Sequence, residues 1–136
     1  MPRRWLFKTE PSDYSFADLE QERKAVWDGI SNNLALKYLR EVRLGDEILI
    51  YHTGDEKAIV GLAEAVSDPY PDPQANDDHL VVVNVKPKRK LERPLTLDEI
   101  KSVEDLRDFD LVRMPRLSVL PVSSAQWQIL QDALKA

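Results

Sequence analysis

Few residues in this chain are placed to do chemistry, and most of the familiar constellations are missing. His52 and His79 are the only histidines, they lie far apart, and there is neither an HxH nor an HExxH spacing. Cysteine is absent. A metal site draws several such ligands together at short spacing, so no metal is expected. The 4 glycines are scattered, which leaves no glycine-rich loop to cradle a phosphate or a dinucleotide. No GxSxG occurs; a serine or threonine working with His52 stays open, because such triads are assembled in space. Glu10, Asp28 and Glu64 are candidate acid–base carboxylates only if one pocket collects them, and each alone more often caps or turns the chain. From this inventory no catalytic residue and no cofactor is expected.

What the sequence does offer is a set suited to holding a flat heterocycle, which needs an aromatic wall and a few hydrogen bonds to its edge. Trp27 can supply the wall and Tyr51 a second ring or a hydroxyl. Asn32, Thr9 and His52 can donate and accept at the edge. The competing reading makes Trp27 a plain core aromatic over the helix that follows it, as most tryptophans are.

These groups must be positioned by the stretch 27–53, WDGISNNLALKYLREVRLGDEILIYHT, which reads as a capped helix, a tight turn and a buried strand. Ser31 or Asn32 caps a helix over 32–42, with Leu34, Tyr38 and Val42 in one i, i+4 row and Leu39 beside it. Gly45-Asp46 marks the turn. Ile48 to Tyr51 is an unbroken apolar run, typical of a strand covered on both faces. If helix packs on strand, the polar residues at the two ends can line one hollow.

The other elements follow by the same logic. Arg4–Thr9 alternates as a strand that Glu10-Pro11 ends. Ser15 caps a short helix over 16–22, with Asp18 at N3 and Phe16 and Leu19 buried. Ala58–Val66 is a strand with Gly61 inside it, a mark of a bulge or of close approach. A proline-rich loop runs from Asp68 to about Asp78, and Leu80–Val85 is a β-branched strand able to continue into the basic segment after it. Leu95–Arg107 reads as two helical pieces, the first capped by Thr96 with Glu99 in capping-box register. Arg116–Val122 alternates as an edge strand containing Pro121. Ser123 or Ser124 then caps a last helix that buries Trp127, Leu130 and Leu134. Five or six short strands among short helices, with few long crossovers, suit a curved mixed or antiparallel α+β sheet closing towards a small barrel.

A chain of 136 residues, 43% hydrophobic and 32% charged, is expected to form one soluble domain. It has no apolar run long enough for a membrane span and no apolar stretch near its start that would read as a signal peptide, so no membrane partner is expected. The lack of cysteine fits a reducing compartment, and a cytoplasmic monomer is the expectation. A net charge of −5 argues against a broad, sequence-blind polyanion binder. The distribution is uneven, however: 86–93, KPKRKLER, holds five basic residues against one acid, and Arg113 and Arg116 follow later. A basic rim and a merely solvated strand end are both open readings.

Taken together, Trp5-Leu6-Phe7-Lys8-Thr9-Glu10-Pro11, Tyr14-Ser15-Phe16, Trp27-Asp28-Gly29-Ile30, Leu44-Gly45-Asp46, Tyr51-His52-Thr53, Gly61-Leu62-Ala63-Glu64, Asp68-Pro69-Tyr70-Pro71-Asp72 and Arg116-Leu117-Ser118-Val119 resemble the EVE domain family, in its order and over nearly the whole chain. The resemblance implies a PUA-like pseudo-barrel flanked by helices. It also implies a non-catalytic pocket for a modified base of DNA or RNA, flipped out of its strand. Its pocket positions would be Lys8, Thr9, Glu10, Trp27, Asn32, Tyr51, His52, Arg116 and Ser118. In that scheme Trp27 stacks, the Thr9 and Asn32 side chains read the edge, and Arg116 lies near a phosphate. The alternative is a small hydrolase-type enzyme on a modified nucleoside, as among ASCH-type relatives, with Lys8 and Glu10 as its nearest candidates. A third reading is an interaction module without a small-molecule pocket.

This chain departs from the family pattern after Gly29. Where the family commonly has Arg-Asn-Tyr-Gln-Ala-Arg, it carries Ser31-Asn32-Asn33-Leu34-Ala35-Leu36. Asn32 and Ala35 are kept, but two positive charges and one aromatic ring are missing at the expected pocket entrance.

Overall fold

The computed structural model describes residues 3–134. At its centre lies a parallel pair. β1 (Arg4–Thr9) runs beside β3 (Glu47–His52), with Arg4 opposite Glu47 and Thr9 opposite His52. The connection between them holds α1 (Phe16–Glu22), β2 (Ala25–Trp27) and α2 (Asn33–Glu41). The other pairings are antiparallel: β3 with β4 (Ala58–Ala65), β4 with β6 (Val81–Thr96), β6 with β2 and with β5 (Tyr70–Pro71), and β1 with β7 (Val119–Val122). The resulting 7-stranded mixed sheet has the order β2-β6-β4-β3-β1-β7, with β5 attached to β6. Trp27 on the edge strand β2 nevertheless packs against Phe7 on β1, ring centroids 5.5 Å apart, so the sheet curls until distant strands meet. This is the α+β half-barrel with short helices that the resemblance implies.

Local sequence explains most of the elements. Ser15 Oγ accepts from the Asp18 N–H and the Asp18 carboxylate accepts from the Ser15 N–H, a complete capping box for α1. Thr96 and Glu99 form the same motif for α3 (Leu97–Lys101). Asn32 caps α2 by accepting from the Ala35 N–H. In α2 the fully buried residues are Ala35, Leu36 and Leu39, continued by Val42, while Leu34 and Tyr38 are half-buried. Of the row expected through Leu34, Tyr38 and Val42, only Val42 is fully buried, and the buried face runs through Ala35, Leu36 and Leu39 instead.

Gly61 shows close approach. A Cβ built there would lie 2.5 Å from the Phe16 ring, so the missing side chain is what lets α1 settle onto β4. The β4–β6 register shifts beside it.

Several elements differ from the sequence reading, β5 among them: Tyr70–Pro71 pairs with Val81 and Val82 inside the segment read as a proline-rich loop. β2 was not expected; three residues are too short for a periodic signal, and its partner Val83–Val85 lies far along the chain. β6 takes in the whole basic segment and Leu95, so Leu95 is strand rather than helix. After a 3-10 turn at Glu104–Leu106 comes a one-turn helix, α4 (Asp110–Arg113). In the final helix α5 (Ser124–Leu134), Trp127 and Leu130 are buried as expected, and the side chain of Leu134 lies outside the described residues. Ser123 is the residue that caps it. No described helix is long and apolar enough to cross a membrane.

One end of the β1–β3 pair is closed by a buried carboxylate. Asp46, 3% exposed, accepts from the Arg3 N–H, the Arg43 N–H and the Trp5 indole N–H, each at 2.9 Å. The glycine–aspartate pair read as a turn therefore also holds a structural knot.

Candidate functional site

The other end of β1 opens into a cavity of about 640 Å³. Lys8, Thr9 and Glu10 come from the end of β1, Asp13 and Tyr14 from the turn after it, and Glu22 from the end of α1. Lys24 through Ile30 add β2 and the segment beyond it, and Ser118 closes the ring just before β7. Hydrogen bonds fix this frame. Thr9 Oγ1 donates to the Tyr14 carbonyl at 2.7 Å, the Asp13 and Tyr14 N–H groups donate to the Glu10 carbonyl at 2.9 Å, and the Lys8 N–H donates to the Ser118 carbonyl at 2.9 Å. The Tyr14 hydroxyl donates to the Glu22 carboxylate.

Trp27 is one of the lining residues. It is 7% exposed, with Phe7 packed against it and Tyr14 meeting it at 6.2 Å and 85°. Two aromatic rings of the lining therefore stand at nearly a right angle to each other. Offset and edge-to-face geometries of this kind are preferred because each ring has a negative face and a positive edge.

The ionisable groups around the cavity are held in distinct ways. Hydrogen bonds from the Ser12 backbone and hydroxyl, helped by Thr53, hold the Glu10 carboxyl below the usual carboxylate range. Burial and the Glu22 carboxylate push the Tyr14 phenol well above its ordinary value, so it stays a donor. Burial lowers the Lys8 ammonium. Its Nζ donates to the Pro115 carbonyl at 2.8 Å and sits 5.7 Å from the centre of the Tyr51 ring. Burial, with the charge of Asp98, pushes the Tyr51 phenol up.

Of the residues singled out in the sequence, the fold brings Lys8, Thr9, Glu10, Trp27 and Ser118 together around this cavity. Asn32 and Arg116 line a second hollow of about 330 Å³ instead, with Leu34, Arg113, Met114, Pro115 and Leu117. The Asn32 carbonyl oxygen is also engaged there as the cap of α2. Tyr51 and His52, 3% and 8% exposed, line neither hollow. His52 supports the site from below: its Nε2 accepts from the Phe16 N–H at 3.0 Å and its Nδ1 lies 2.6 Å from Glu56 Oε1. That pattern assigns the ring proton to Nδ1 and ties α1 to the end of β3. The expected meeting of both ends of 27–53 in one hollow is therefore corrected: the helix side contributes Trp27, while Tyr51 and His52 stay inside a central strand covered on both faces.

The basic segment does not reach the cavity either. No residue of 86–93 lines it, Lys86 pairs with Glu64 and Lys88 with Glu47, and Arg93 pairs with Glu99. Sequence reasoning missed Asp13, Tyr14, Glu22 and Lys24, among others, as lining residues. The available signal was Tyr14 itself, an aromatic in the turn just ahead of the α1 cap. Among the described residues, no cluster of three or more His, Asp or Glu side chains is arranged to hold a metal ion.

Similarity to known proteins accords with this architecture. Thymocyte nuclear protein 1 of Rattus norvegicus is 29% identical over 93% of this chain and 71% of that protein. The solution structure of Rpa0253 from Rhodopseudomonas palustris superposes with a TM-score of 0.90 at 33% identity, covering 96% of this chain and 91% of the other. The crystal structure of human THYN1 protein in complex with 5-methylcytosine-containing DNA superposes with a TM-score of 0.89 at 26% identity, covering 98% of each chain. An ASCH protein from Zymomonas mobilis, 14% identical with a TM-score of 0.61, shares the fold alone. The EVE domain profile matches residues 3–133, and the chain belongs to the EVE domain family.

Proposed function

We propose that this protein is a non-catalytic module that binds a modified nucleobase of DNA or RNA in the cavity that Trp27 helps to line. The observation that supports the reading is the cavity itself: about 640 Å³, with Trp27, Tyr14, Thr9, Glu10 and Ser118 among its lining residues. Ligand-sized sites commonly fall between about 300 and 1,000 Å³. The structure of a relative with 5-methylcytosine-containing DNA supports nucleic acid as the source of the base. Extruding a base costs a few kcal/mol, and stacking on aromatic side chains returns about 1–3 kcal/mol per base, so hydrogen bonds at the edge must add selectivity. Arg113 and Arg116, exposed beside the neighbouring hollow, are suited to the flanking phosphates.

A hydrolytic role has weaker support. Lys8 is lowered by burial, as in catalytic lysines, but its Nζ is committed to the Pro115 carbonyl and Glu10 to Ser12 and Thr53.

Titrating modified and unmodified oligonucleotides, DNA and RNA, while following tryptophan fluorescence tests the reading. Modified strands should quench the wild-type signal, and Trp27→Phe should abolish the change while Trp5 and Trp127 keep the background. A flat response across the whole panel would remove the base-binding function, and turnover of a nucleoside that is lost in Lys8→Ala would replace it with the enzymatic one.

A further inference from the structure

The hollow of about 330 Å³ beside the base cavity adjoins it along three stretches of wall. Ser118 lines the cavity and Leu117, the residue before it, lines the hollow. Ile30 lines the cavity and Asn32, two residues on, lines the hollow. Lys8 of the cavity spans the boundary, its Nζ donating to the carbonyl of Pro115 in the hollow at 2.8 Å. Consecutive residues lie about 3.8 Å apart at Cα, so the two spaces are side by side.

Their linings differ in charge. Around the cavity Glu10, Asp13, Glu22 and Asp28 are mixed with Lys8 and Lys24. No carboxylate lines the hollow; its charged residues are Arg113 and Arg116, both exposed and neither in an ion pair among the described residues. Leu34, Met114, Pro115 and Leu117 make the rest of its wall apolar, with Asn32 the one uncharged polar residue. The Asn32 side-chain carbonyl is taken by the Ala35 N–H, which leaves the amide N–H groups as donors. Leu34 stands where the family commonly has glutamine, so the apolar wall belongs to this chain in particular.

This combination matches one nucleotide. A flat base is held by apolar contact and by guanidinium planes, its edge by an amide donor, and its phosphate by arginine. A free phosphate would leave the apolar wall empty, and a purely apolar ligand would leave both arginines unmatched. The position next to the base cavity supplies the connection: a strand that places one base in the cavity carries its next nucleotide over the shared wall.

We propose that the hollow seats the nucleotide adjacent to the flipped base, with its base against Leu34 and Met114 and the linking phosphate on Arg113 or Arg116. The unit recognised is then two nucleotides. This inference rests on the base-binding reading above and extends it to the neighbouring position of the strand.

Short ligands separate the two spaces. Calorimetric titration compares 5-methyl-2′-deoxycytidine, the two dinucleotides that add thymidine on its 5′ or its 3′ side, and the same dinucleotides with an abasic sugar in place of thymidine. Ribose counterparts carrying uridine form an RNA arm, and the arm that responds identifies the sugar. One thymidine dinucleotide should bind about tenfold or more tighter than the nucleoside, and its abasic version should lose most of that gain. Leu34→Gln with Met114→Gln should bring intact and abasic ligands towards equal affinity, with thermal melting used to confirm that the variant folds. Arg113→Ala with Arg116→Ala, at two exposed positions, should weaken intact and abasic dinucleotides alike, most at low salt. Equal affinity for the nucleoside and both dinucleotides, or abasic ligands as tight as intact ones, overturns the second seat and leaves base binding standing. No response to any ligand of either arm, nor to the modified oligonucleotides above, overturns both.

Discussion

The two ends of the β1–β3 pair use carboxylates in opposite ways. At the Arg4–Glu47 end, Asp46 is buried and receives three N–H donors, one of them the indole of Trp5. At the Thr9–His52 end, Glu10, Asp13, Glu22 and Asp28 line an open cavity together with Lys8 and Lys24. A carboxylate whose acceptor positions are filled by protein donors in a dry setting is structural, since burying it is tolerable only when fully hydrogen-bonded. A carboxylate at the wet rim costs little to leave uncompensated and remains available to a ligand. The strand pair is thus polarised into an anchored end and a receptive end, and substitutions should separate stability from binding along it.

The largest effect is expected at the anchored end. Asp46→Ala removes three charge-assisted hydrogen bonds and leaves the Trp5 indole N–H buried without a partner, a loss of roughly 3–5 kcal/mol in urea unfolding. The fraction that stays folded should keep the nucleoside affinity of the parent. A loss below about 1 kcal/mol, in the range of an ordinary surface substitution, would mean that the knot does not anchor the sheet.

Gly61→Ala should act on both properties. The new Cβ would fall 2.5 Å from the Phe16 ring, so α1 must lift from β4, at a cost of about 1–3 kcal/mol for overpacking. Phe16 also carries the N–H that His52 accepts, and α1 ends at the lining residue Glu22, so the displacement reaches the cavity. Weaker ligand binding per folded molecule is expected, read by calorimetry beside the unfolding curve. Destabilisation with unchanged affinity would uncouple α1 from the receptive end.

How far this was legible in the sequence follows the same polarity. β1, the capped helices α1 and α2, and β3 carry their signals locally, in alternation and in Ser15, Asn32 and Asp18 at capping spacing, and they stand where the pattern puts them. The run Ile48–Tyr51 already implied a strand covered on both faces, which is why Tyr51 and His52 line neither hollow. What was not legible depends on partners distant in the chain. β2 exists because Trp27 pairs with Val83, and the cavity exists because curling brings β2 against β1. Asp46 read as a turn residue because its three donors come from separate places, two of them more than forty residues away.

The smallest effect is expected from the basic segment, where sequence alone left a basic rim open. Lys86, Lys88 and Arg93 are already paired with Glu64, Glu47 and Glu99, which leaves Arg89 and Lys90 exposed and unpaired among the described residues. These two lie opposite Leu62 and Gly61 on β4, and neither lines the cavity. Charges separated from a ligand by more than a screening length of roughly 8 Å contribute little. Arg89→Glu with Lys90→Glu should therefore leave nucleoside affinity within about twofold of the parent. The same pair can still matter for a long strand, since each lost phosphate contact flattens the salt dependence of oligonucleotide binding by about one unit of log–log slope. An unchanged slope would confine the nucleic-acid path to the receptive end, beside Arg113 and Arg116. A flattened slope with intact nucleoside binding would extend that path across the sheet and make β6 its far support.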